Sequence, residues 1–79
     1  MLTDEQKEEL EEKFNYYSYL TELNKRNLDD DDCAELYRTN IAIRWALEEA
    51  LRVLGYTFVY AYTEECMGIK YWAYKLVKA

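Results

Sequence analysis

Residues 50–63 read ALRVLGYTFVYAYT, and within them, at Gly55, the hydrophobic period changes from 3.6 residues to 2. Upstream, Leu36, Asn40, Ile43, Leu47, Ala50, Leu51 and Leu54, spaced 4, 3, 4, 3, 1 and 3 residues apart, form one stripe of an amphipathic helix. Downstream, β-branched and aromatic residues alternate as in a strand. Gly55 follows the last helical residue, where a backbone with positive φ stops a helix. The spacing therefore predicts a helix from the Asp run to Leu54, then a strand.

The strand has a mate. YTFVYAYT (56–63) and IKYWAYKLV (69–77) flank EECMG, whose Gly68 suits a hairpin loop. Pairing Thr63 with Ile69 gathers Tyr56, Phe58, Tyr60, Tyr62, Lys70, Trp72, Tyr74 and Leu76 on one face. That aromatic face is expected to lie on the helices, with Thr57, Val59, Ala61, Ile69, Tyr71, Ala73 and Lys75 on the other.

Toward the N-terminus, Thr3 and Gln6 have capping-box spacing. Leu10, Phe14, Tyr17, Leu20 or Thr21, and Leu23 or Asn24 mark a helix over 4–25, and the stretch NKRNL (24–28) ends it. The expected fold is α+β: two antiparallel helices followed by a C-terminal β-hairpin packed on them, α-α-β-β, in one domain over 1–79. With 79 residues the core is small, and nine Tyr, two Trp and two Phe supply much of what can be buried.

The composition excludes several function classes. There is no His, so the commonest general base and metal ligand is missing. Cys66 has no imidazole to activate it, and two adjacent glutamates oppose a thiolate. Glu48 and Glu49 point to different sides of a helix, and no glycine-rich phosphate loop occurs. No catalysis, cofactor or metal is expected. Cys33 and Cys66 have no metal-ligand spacing and read as reduced, half-buried thiols. The acidic start is unlike a secretory leader and no apolar run approaches the roughly 18 residues of a membrane span, so a cytoplasmic address without membrane contact is expected.

The net charge of −6 is unevenly distributed. Residues 1–35 hold twelve acids and four bases; residues 36–79 hold four acids and six bases. The acidic half repels nucleic acid and attracts a basic protein surface. Asp29, Asp30, Asp31 and Asp32 match no calcium loop: counting from Asp29, the sixth position is Ala34 where glycine is needed, and the twelfth is Asn40 where a glutamate is needed. They read as a helix cap, with the surplus free to contact a basic partner. The acids of DEQKEELEEK (4–13), Glu8 and Glu12 among them, are either a solvated face with pairs such as Glu9–Lys13 or an array imitating a phosphate backbone.

Ile41 and Trp45, an i,i+4 pair among Arg38, Glu48, Glu49 and Arg52, have the make-up of a binding hot spot; contact with the rest of the fold is the alternative. The strand tyrosines suit core packing, or a base-stacking platform, which would need a more basic groove than Lys70, Lys75 and Lys78 supply. A two-stranded sheet also leaves two open edges.

In general character the sequence resembles the small acidic proteins of bacteriophages and mobile elements, a group that includes anti-CRISPR inhibitors; length, acidity, the run DDDDCAEL (29–36) and the Tyr-rich strands after LRVLGY (51–56) carry the resemblance. It implies an inhibitor that occupies a surface of a larger host protein. The charge pattern then nominates Glu8, Glu12, Asp29, Asp30, Asp31, Asp32, Ile41, Trp45, Glu48 and Glu49 as partner-binding residues. The expected partner is a larger basic protein that processes nucleic acid, with no direct binding of nucleic acid. The alternative is a self-associating accessory module, a homodimer through the hairpin edge or the Ile41/Trp45 face.

Overall fold

Both helices begin where their caps stand. The computed structural model describes residues Met1–Ala79 and comprises α1 (Asp4–Lys25), α2 (Asp31–Val53), β1 (Tyr56–Cys66) and β2 (Ile69–Lys78), the α-α-β-β order that the sequence predicts. At the start of α1 the Thr3 hydroxyl accepts from the Gln6 N–H at 3.1 Å, and the Gln6 side chain accepts from the Thr3 N–H at 2.9 Å. Asp30 caps α2, its Oδ1 accepting from the Asp32 and Cys33 N–H groups at 2.9 and 3.1 Å. The C-terminal stop of α2 is Gly55, at φ 89°.

The helices pack antiparallel through a seam that is largely polar. Ser18, Thr21, Asn24 and Asn40 are all buried. Two of them are satisfied within their own helix, Thr21 Oγ1 donating to the Tyr17 carbonyl at 2.7 Å and Asn24 Nδ2 to the Leu20 carbonyl at 2.8 Å. Small side chains there let the helices approach, at the cost of apolar burial. The roll of α2 differs from the expected stripe: Asn40, Leu47 and Leu51 face inward, while Leu36, Ile43, Ala50 and Leu54 lie exposed on its flank. The stripe is wider than the surface available to cover it.

The hairpin corrects two further expectations. β1 continues to Cys66, which pairs with Ile69, so Met67 and Gly68 alone make the turn. Both have positive φ, 51° and 77°, the two-residue turn whose twist matches that of a hairpin. At the base the register is Tyr56↔Lys78, Phe58↔Leu76 and Tyr60↔Tyr74; Ala61 is then an extra residue, and the ladder resumes at Tyr62↔Ala73. Relative to Thr63 opposite Ile69, the base is slipped by two residues, which preserves the faces. The bulge at Ala61 does not: beyond it Tyr62, Glu64 and Cys66 share a side with Ile69, Tyr71 and Ala73.

β2 consequently turns opposite sides to the helices at its two ends, while Phe58 at the base and Tyr62 at the tip come from the same side of β1. At the base the aromatic face is inward: Phe14, fully buried, stacks on Phe58 at 3.9 Å and meets Tyr74 edge-on at 5.3 Å. Leu51, Tyr56 and Leu76 form the adjoining core, with Leu2, Leu10, Leu47 and Phe58 packed around it. At the tip the other face is inward: Ile69 and Ala73 are buried and Tyr71 meets Tyr19 at 5.6 Å. Trp72 and Tyr60, placed by the sequence with the inward aromatics, are exposed and contact each other at 5.7 Å.

Helix α1 runs along the outer edge of β2. Asn15 grips the Tyr74 main chain, Oδ1 accepting from the N–H at 2.8 Å and Nδ2 donating to the carbonyl at 3.1 Å. Glu11 Oε1 accepts from the Leu76 N–H at 2.9 Å, and Arg26 donates to the Gly68 carbonyl at 2.9 Å. The result is a slab of 42 × 23 × 17 Å with a radius of gyration of 13.3 Å, above the about 12 Å of a globular chain of this length. So flat a shape explains why only 10 of 79 residues are buried. No helix is long and apolar enough to cross a membrane.

Candidate functional site

The acids lie along the slab rather than in one patch. Glu8 and Glu12 are exposed on α1; Asp29 precedes the cap, and Asp31 and Asp32 stand exposed in the first turn of α2. Asp30 is the cap itself, so one of the four aspartates has a structural bond and three are free. Because α2 runs back along α1, Glu48 and Glu49 fall toward the opposite end from the Asp run. Glu49 is engaged by Arg52 at 2.8 Å. Ile41 and Trp45 lie on the outer side of α2, 41% and 67% exposed. The ten nominated residues thus form separate features: an acidic end, an acidic face of α1 and an apolar spot on α2.

Few carboxylates are neutralised within the molecule. The ion pairs are Asp4–Lys7 at 3.5 Å and Glu49–Arg52 at 2.8 Å, both solvent-exposed. Glu9 and Lys13, suited by spacing to pair, do not. Glu11 and Asp30 are used by main-chain N–H groups. The other acids have no cationic partner inside the chain, and all but the half-buried Glu22 and Glu48 are exposed.

Folding adds a feature that no linear motif announces. Between α1 and the hairpin tip lies a groove of about 370 Å³, walled by Tyr16, Tyr19, Tyr62 and Tyr71, with Glu12 and Glu64 among its lining residues and no Lys or Arg. Tyr16 and Tyr62 are exposed at the rim, while Tyr19 and Tyr71 are half-buried. Burial pushes the Tyr71 phenol above its ordinary value, and the negative charge of Glu64 adds to the shift. Cys66 is exposed beside Tyr71, contrary to the expected half-burial, and Cys33 is half-buried; both thiols are free.

Of the groove residues only Glu12 was nominated for partner binding, as one member of an acidic helix, and the sequence does not place it beside the strand tyrosines. Tyr62 lies on the strand face expected to meet the helices, and the bulge sets Tyr71, expected on the other face, beside it. No three His, Cys, Asp or Glu side chains converge as metal ligands would. The molecule is thus a small α+β protein with a largely unpaired acidic surface and an acidic, tyrosine-walled groove. Comparison with protein-family models, characterised proteins and solved structures finds no match for the chain, so the reading of the site rests on its own chemistry.

Proposed function

We propose that the chain is a non-catalytic binding protein that occupies a basic, nucleic-acid-binding cleft of a larger protein, in the manner of anti-CRISPR-type inhibitors. The observation that carries this reading is the shortage of internal partners for the acids. A chain selected only for solubility gains from pairing exposed acids with bases one helical turn away; here most carboxylates are left to act outward. Glu8 and Glu12 on α1 and Asp29, Asp31 and Asp32 at the far end spread charge along the slab, matching an extended basic channel better than a point contact. Long-range attraction of this kind speeds association and is weakened by salt.

The test spares the structural acids Asp30 and Glu11 and combines Glu8→Gln, Asp29→Asn, Asp31→Asn and Asp32→Asn. Captured from bacterial lysate at low salt, the partner is expected to be a basic nucleic-acid-processing protein. Its binding to nucleic acid should be competed by the wild-type chain at about one equivalent and by the quadruple variant at least about tenfold less well. A purified partner that binds nucleic acid equally well with and without the wild-type chain contradicts the reading.

One observation favours a second reading, self-association through the hairpin. The outer edge of β2 is occupied by Asn15 and Glu11 and carries Lys70, Lys75 and Lys78, whereas β1 has no charged side chain between Tyr56 and Thr63. Since Tyr74 and Leu76 point their main-chain groups outward, their ladder mates Tyr60 and Phe58 do so at the opposite edge, where no other segment bonds them. A second copy pairing there would extend the sheet. Light scattering decides it: a dimer that persists in high salt and is lost in Val59→Lys supports the edge, and a monomer at all salts removes it.

A further inference from the structure

We propose that the groove between α1 and the hairpin tip is an arginine-binding site. Glu12 and Glu64 receive the guanidinium of a basic partner protein, and Tyr16, Tyr19, Tyr62 and Tyr71 enclose it and its aliphatic stem. The inference rests on the acidic-surface reading above and assigns it a specific anchor.

Three properties of the groove select this occupant. Two carboxylates without a Lys or Arg among the lining residues give it a formal charge of −2, so a cation is favoured and an anion repelled. Its walls are tyrosine rings, whose faces attract cations through their quadrupole and accept the flat guanidinium by stacking. Its volume, about 370 Å³, suits an organic group far better than a bare metal ion, and no three ligating side chains gather there as a metal site needs. Arginine is preferred to lysine because its planar fork meets carboxylates with paired hydrogen bonds and sheds water more readily.

The molecule already uses this chemistry internally. The Arg44 guanidinium lies over the Phe14 ring at 5.0 Å and 5.8 Å from the Tyr74 ring, closing the core with a cation on aromatic faces. The groove offers the same kind of surface with the cation missing and with carboxylates added. The raised Tyr71 phenol is consistent with a partly dehydrated, negatively charged interior. Placement fits as well: the bond from Arg26 to the Gly68 carbonyl holds the hairpin tip beside the end of α1, next to the Asp run. A basic segment seated on the aspartates would therefore lie at the same end of the molecule as the hairpin tip.

The experiment titrates the full chain, observed by NMR, with a blocked peptide bearing one arginine between glycines, with its citrulline counterpart, and with tetramethylammonium chloride. Saturable shifts are expected at Tyr16, Tyr19, Tyr62 and Tyr71, with affinity about three- to thirtyfold weaker for the citrulline peptide and for the E12Q/E64Q variant. Tyr62→Ala should weaken binding similarly. All three substituted residues are exposed, so unchanged amide dispersion will show that the fold survives. Shifts confined to Glu8 and Asp29–Asp32 overturn the groove while leaving the acidic-surface reading standing. No shift anywhere also overturns the groove, and the capture experiment then judges the acidic surface separately. Tighter binding of tetramethylammonium than of the arginine peptide overturns the assignment to a partner's side chain in favour of a free organic cation.

Discussion

The base and the tip of the hairpin are built from similar residues and do opposite things. At the base, Phe58 and Tyr74 close on Phe14; at the tip, Tyr71 meets Tyr19 edge-on, while Tyr16 and Tyr62 stay exposed beside an open groove. Aromatic content therefore does not distinguish core from site. What distinguishes them is the single inserted residue, Ala61, which sets the side of β1 that bears Phe58 and Tyr62 opposite Tyr74 and Leu76 at the base but opposite Ile69, Tyr71 and Ala73 at the tip. The base is covered by both helices, the tip by α1 alone, and a surface with one neighbour remains partly open.

The largest break in this comparison is expected from Phe14→Ala. Loss of a fully buried ring costs about 3–5 kcal/mol, against a total stability of about 4–12 kcal/mol for a chain of this size. The urea midpoint should fall steeply, and a variant as stable as wild type would mean that the base is not the core. Asn15→Ala comes next. It leaves the Tyr74 N–H and carbonyl without a partner where α1 crosses from base to tip, a loss of about 1–3 kcal/mol. Asn15→Asp retains the acceptor for the N–H but not the donor for the carbonyl, and should fall between alanine and wild type by chemical denaturation.

The smallest expected effect is confined to alkaline pH and to the tip. Burial and Glu64 raise the Tyr71 phenol, so the folded state keeps its proton at a pH where the unfolded chain, near 10, releases it. The stability linked to this group is intact below about pH 10 and is lost as pH rises from there through the folded value. Tyr71→Phe removes the ionisation, so the gap in melting temperature between wild type and variant should shift in the variant's favour above about pH 10. A constant gap across that range would place Tyr71 in open solvent.

Much of the backbone was legible because its signals are local. The Thr3–Gln6 box, the stop at Gly55 and the change of period there fix element order within a few residues of chain. Asp30 illustrates the boundary: four adjacent aspartates are equivalent as candidates for the cap, and only the turn geometry after Asn27 selects one. The roll of α2 was less legible, since Leu36, Ile43 and Leu54 fit an inward stripe as well as Leu47 and Leu51 do. Trp45 is exposed on α2, and the structure does not bring it together with the acids.

By itself, then, the sequence determined the α+β class, the Thr3–Gln6 cap, the helix stop and the concentration of negative charge in the first 35 residues. Each of these depends on residues a few positions apart, whose preferences act before the chain is folded. Tertiary structure alone decided the register, the bulge at Ala61 and the groove. Those depend on partners far apart in the chain, such as Asn15 and Tyr74, 59 residues distant, whose complementarity exists only once α1 lies along the edge of β2.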